Sequence, residues 1–117
     1  GSPFPPDPVL LVVTRFNVPD PESFTAAITA AVEVLAQSAG FNSADLGQAT
    51  DEADLMVLTT RWMNVGSYRK ALSRFEVKMH VVPLLSQAID ESSAFEIIHT
   101  RTPTSHIDAV SGRFRDE

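Results

Sequence analysis

The chain reads in the order strand, helix, strand, strand, helix, strand, which predicts a ferredoxin-like βαββαβ sandwich of the α+β class. Three observations carry that reading. A β-branched-rich run at 9–16 stops at the breaker Pro19-Asp20-Pro21. A long amphipathic stretch follows it. Two strand-like runs then meet across the short turn Thr50-Asp51-Glu52-Ala53-Asp54 and should pair as an antiparallel hairpin.

Each element has its own warrant. Val9 to Phe16 is rich in Val and Leu and reads as a strand. Asp20 stands at a helix N-cap position, with Pro21 at the first helical position, where proline is best tolerated. Phe24, Ala27, Ile28, Ala31 and Leu35 then recur at spacings of three and four, one apolar stripe of a helix over about residues 21–39. Gly40 supplies its stop. Phe41 to Gln48 is a weaker strand and Leu55 to Trp62 a strong one. Asn64 is placed to cap a second helix with the stripe Tyr68, Ala71, Leu72, Phe75 and Met79. Pro83 interrupts that pattern, and Leu84, Leu85, Ala88 and Ile89 suggest a further helical turn. Ala94 to Thr100 reads as the last strand.

The boundaries drawn from this are a Pro-rich arm at 1–8 opening on the cloning scar Gly1-Ser2, a domain at 9–102 and a loose C-terminal tail at 103–117. Strand parity adds a constraint. Leu10 and Val12 alternate with Leu11 and Val13, and Met56 and Leu58 alternate with Leu55 and Val57. Helices cover one sheet face only, so an apolar second face predicts a homodimer packed sheet to sheet.

Composition excludes several classes of function. The chain has no cysteine, so thiolate zinc sites, disulfides and cysteine nucleophiles are out. Its net charge is −6, with only Lys70 and Lys78 as lysines and seven scattered arginines. No basic patch for nucleic acid or an anionic membrane is expected. The longest apolar run, Val9 to Val13, is far short of the roughly 20 residues a membrane helix needs, and a cytoplasmic location is expected. The three histidines lack zinc-ligand spacing, the acidic turn at 51–54 lacks a calcium-loop pattern, and no phosphate-binding glycine motif occurs. His99 reads as a structural strand histidine and His106 as a tail residue; Asp45 and Arg61 read as a cross-strand pair.

Ser38-Ala39-Gly40-Phe41, and Leu58-Thr59-Thr60-Arg61-Trp62 followed by Asn64 and Tyr68, resemble the antibiotic-biosynthesis-monooxygenase domain family over about residues 9–100. The resemblance implies a dimeric α/β barrel, built from two such sandwiches. It also implies one of three activities: a cofactor-independent monooxygenase acting on a flat aromatic or polyketide-like anthrone or quinol, a non-catalytic binding or structural dimer, or haem binding or degradation. In the family's polyphenol oxygenases the residues matching Trp62 and Tyr68 line a cavity between sheet and helices. The resemblance therefore makes Trp62 and Tyr68 the groups that orient substrate, His80 the proton acceptor, and Thr14 and Leu58 parts of the cavity wall. No metal or other cofactor is expected for that chemistry. Two departures stand out. Leu58 occupies the place of an Asn found in the oxygenases, and Thr14 and Ala71 replace an Asn and a Trp of the haem-degrading branch, whose iron ligand matches His80.

Overall fold

Two strands set the frame. β1 (Leu10–Asn17) and β3 (Leu55–Trp62) pair antiparallel over eight residues, from Leu10 opposite Trp62 to Asn17 opposite Leu55. β2 (Phe41–Gln48) pairs with the outer edge of β3, with an irregularity between Phe41 and Ser43. β4 (Ala94–Glu96) pairs with the other edge of β1. The sheet order β2-β3-β1-β4, antiparallel throughout, is that of the predicted sandwich. This computed structural model describes residues 7–104 together with the strand backbones at 106–108 and 113–115. The Pro-rich arm lies almost wholly outside the described residues. No helix among those described is long and apolar enough to cross a membrane.

Helix α1 (Pro21–Leu35) starts as its sequence dictates. The Asp20 carboxylate accepts a hydrogen bond from the Ser23 amide at 3.3 Å, and Pro21 opens the first turn. Phe24, Ile28, Ala31 and Leu35 are buried. The helix ends at Leu35, short of the predicted 39, because the chain leaves through turns that Arg74 pins. The Arg74 guanidinium donates to the Val34 carbonyl at 3.1 Å and to the Ser38 hydroxyl. Gly40 then takes φ of +86°, and a Cβ there would strike the Ser67 side chain. The α1–β2 junction is thereby seated on the start of the next helix.

The second helix departs most from its sequence pattern. It is three pieces: α2 (Val65–Leu72), α3 (Phe75–His80) and α4 (Val82–Leu85). Asn64 caps α2, accepting from the Ser67 amide at 2.8 Å. The first break falls before Pro83, at Ser73 and Arg74. The Ser73 hydroxyl turns back to the Lys70 carbonyl at 2.7 Å, and Arg74 adopts an extended backbone as it reaches α1. The break resets the helical register. Val77 and Val81 enter the core, whereas Phe75 and Met79 of the predicted stripe point outward, 69% and 56% exposed.

The last predicted strand also divides. β4 stops at Glu96, and Thr100 begins a second, three-stranded sheet of β5 (Thr100–Arg101), β6 (His106–Asp108) and β7 (Arg113–Arg115). The stretch read as a loose tail therefore carries two short strands, and His99 lies between strands, not on one. Asp45 stands opposite Thr59 and Arg61 opposite Ser43, so these two are diagonal neighbours and not a direct cross-strand pair.

The inner sheet face and the helices bury two adjoining clusters. One gathers around Trp62, Leu10, Val12, Leu35 and Val77; the other gathers around Phe16, Phe24, Ile28, Met56 and Leu58. Leu84 and Leu85 of α4 touch both. On the opposite face Leu11, Val13, Leu55 and Val57 are half-buried, and Phe95, opposite Leu11, is exposed. The apolar second face inferred from parity is present in the single chain.

The reset register separates two neighbouring substitutions on α3. Val77→Ala should cost about 2 kcal/mol of unfolding free energy in urea titrations, because it leaves a core void. Phe75→Ala should stay within about 0.5 kcal/mol of the parent. Equal losses would mean that α3 packs in the register of the predicted continuous helix.

Candidate functional site

Ahead of β4, irregular chain takes the place of a strand along the rest of β1. The Ile89 amide donates to the Arg15 carbonyl at 2.8 Å, and the Val13 amide donates to the Ser93 carbonyl at 2.7 Å. A bidentate ion pair reinforces this strap. Arg15 Nε and Nη2 each donate to a Glu91 carboxylate oxygen at 2.8 Å. Between the strap, β1 and α2 lies an open-sided cavity of about 330 Å³, at the small end of ligand pockets. Val13, Tyr68, Leu85, Ala88 and Ile89 give it apolar wall, Thr14 contributes a hydroxyl, and Arg15, Asp90 and Glu91 stand among its charged lining.

The predicted site residues divide into three groups. Thr14 and Tyr68 are brought together in this cavity from residues far apart in the chain. Thr14 is nearly enclosed, and among the described residues nothing hydrogen-bonds its hydroxyl or that of Tyr68. Burial raises the Tyr68 phenol above its ordinary pKa, so it keeps its proton at neutral pH and can donate.

Leu58 and Trp62 stand behind the cavity, not in its wall. Leu58 belongs to the Phe16 cluster. Trp62 is fully enclosed, and its indole N–H donates to the Thr60 hydroxyl at 2.8 Å. The ring meets Phe41 edge-on at 5.3 Å and Tyr68 tilted at 5.4 Å between centroids. Its only polar atom is thus engaged inside the core, and the ring backs Tyr68.

His80 lies apart from both groups. It projects outward at the end of α3, 3.4 Å from the Glu76 carboxylate, with its side chain 60% exposed. The helical reset carries it away from the cavity. Among the described residues no histidine lines that cavity.

The strap was missed from sequence. Arg15 and Glu91 are 76 residues apart, so no local pattern announces the pair. The one legible signal was the polar stretch Asp90-Glu91-Ser92-Ser93 after an apolar turn.

The ion pair sets a pH dependence on the strap. Arg15's hydrogen bonds, then its charge, hold the Glu91 carboxyl below the usual carboxylate range. A depressed carboxyl contributes fully above its unfolded value and loses that contribution as pH falls through the lowered one. Hydrogen-exchange protection of the Ile89 and Val13 amides should therefore drop on acidification, relative to β1–β3 amides. In Glu91→Gln it should be low already at neutral pH. Unchanged protection in that variant would show that the ion pair does not hold the strap.

No protein-family model matches the sequence, and no curated protein does. Solved structures do match. SnoaB, a cofactor-independent oxygenase from Streptomyces nogalater, is 22% identical with a TM-score of 0.70, covering 82% of this chain and 97% of that one. A conserved protein of Methanosarcina mazei is 19% identical at a TM-score of 0.61, covering 76% and 92%. A Chloroflexus aurantiacus protein assigned provisionally to the antibiotic biosynthesis monooxygenases is 19% identical at 0.62, covering 80% and 97%. The chain has the fold of these structures.

Proposed function

We propose that this protein binds a flat, oxygen-bearing aromatic molecule, of the anthrone or quinol type, and oxygenates it without a cofactor. The observation that carries the reading is the pair of unpartnered hydroxyls, Thr14 and Tyr68, in the lining of one cavity that also has an apolar wall of Val13, Leu85, Ala88 and Ile89. Polar groups so placed look for a ligand oxygen, and the apolar wall looks for a ring. The fold shared with SnoaB supports the chemistry, since SnoaB is a cofactor-independent oxygenase.

In this reading an electron-rich substrate reacts with dioxygen itself, and the protein's part is to hold and polarise it. The Tyr68 O–H, kept protonated by burial, donates to the ligand oxygen as negative charge grows there. Thr14 donates beside it, and Trp62 holds the Tyr68 ring from behind. A second reading, binding without turnover, is favoured by one residue: Leu58 stands where the family's oxygenases carry an Asn.

An oxygen electrode separates the two. With anthrone as probe and no added metal, the protein should consume oxygen. Tyr68→Phe should slow that uptake by about tenfold to a hundredfold, the range of a hydrogen bond to a charge-bearing atom. Thr14→Val should weaken binding by about fivefold. Trp62, the single tryptophan, reports binding independently by its fluorescence. Tight binding with no oxygen uptake would establish the non-catalytic reading.

The proposal includes a two-fold pair of chains packed through the second sheet face. Leu11, Val13, Val57 and Phe95 supply an apolar patch there that the helices do not cover. Sedimentation equilibrium should give a dimer, and Val57→Glu a folded monomer. A monomeric parent chain would remove this interface.

A further inference from the structure

The oxygenase reading needs a group to take a proton from the substrate, and His80 stands outside the cavity beside Glu76. The titratable groups that do line the cavity are Arg15 on β1, Tyr68 on α2, and Asp90 and Glu91 on the strap. Three of these are committed. Arg15 and Glu91 hold each other through two hydrogen bonds, and Tyr68 keeps its own proton. Asp90 is different. Among the described residues no group hydrogen-bonds or ion-pairs with its carboxylate.

We propose that Asp90 is the proton acceptor of this cavity, acting on the acidic C–H or O–H of a bound anthrone or quinol. The proposal rests on the oxygenase reading. A second observation points to a ligand at the same place: Thr14, only 8% exposed, offers the cavity a hydroxyl that no described residue engages. The two features are complementary. Thr14 and Tyr68 receive the oxygen on which negative charge collects, and the strap supplies the carboxylate that receives the proton.

The step balances as follows. The ligand C–H bond breaks, and its proton forms an O–H bond on Asp90. The electron pair stays on the ligand as an enolate, whose oxygen accepts from Tyr68 and Thr14. Dioxygen is the oxidant: anthrone and one dioxygen give anthraquinone and one water. A positioned base typically accelerates such a step by about a hundredfold or more.

The test is Asp90→Asn assayed with anthrone against oxygen, with Asp90→Glu alongside. Asp51→Asn, in the turn between β2 and β3 and not in the cavity lining, matches the charge change. Asp90→Asn should be slower by about a hundredfold at pH 7, with anthrone affinity by Trp62 fluorescence unchanged. Asp90→Glu should recover part of the rate, and Asp51→Asn all of it. The deficit of Asp90→Asn should close as pH rises and anthrone ionises in solution, because a preformed enolate needs no base. A merely structural role would not produce that closure. Asp90→Asn running at the parent rate would overturn the assignment while leaving the oxygenase reading intact. A parent protein that binds anthrone without consuming oxygen would overturn both.

Discussion

Trp62 occupies the corner on which the arrangement depends. It is the last residue of β3, directly opposite the first residue of β1 and beside the first of β2. Its indole is fully enclosed, so its N–H must find a partner within the protein, and Thr60 two residues earlier on the same strand provides it. The ring is held by Phe41 on one side and meets Tyr68 on the other. One large side chain therefore couples the two central strands to the edge strand and to α2. A buried indole in contact with several elements cannot turn without disturbing all of them.

That rigidity explains how a cavity survives beside a small core. Thr14 holds its place because it lies within the eight-residue β1–β3 ladder, opposite Leu58. Tyr68 holds its place because Asn64 starts α2 and Trp62 backs its ring. The hydroxyls thus stand on a fully paired edge of β1 with β3 and on a capped helix. The charged residues stand on the strap, which is fastened by two backbone hydrogen bonds and one exposed ion pair. The cavity joins a stiff wall to a soft one.

What could be read from the sequence follows the range of the interactions responsible. β2 and β3 appear over the predicted residues, since alternation and turn chemistry are local. α1 starts at its Asp20–Pro21 signal for the same reason. Its end, and the break before α3, are set by Arg74 reaching back to Val34 and Ser38, a contact no window of sequence contains. That contact accompanies the reset of α3, which leaves Phe75, Met79 and His80 facing outward. Thr14 and Tyr68 were legible through the family resemblance. Asp90 and Glu91 were not, because their significance comes from Arg15 across the fold.

The strap also bears on how such a protein diversifies. Residues 86–93 bury little, and they meet β1 through main-chain groups at only Ile89 and Ser93. Insertions or deletions between those two anchors change the shape and charge of one cavity wall without moving β1, β3 or Trp62. Irregular surface chain tolerates such length changes far better than a strand does. A short fourth strand thus separates the part of the molecule that must stay constant to fold from the part free to vary with the ligand, and new binding preferences become reachable through loop drift without loss of the core.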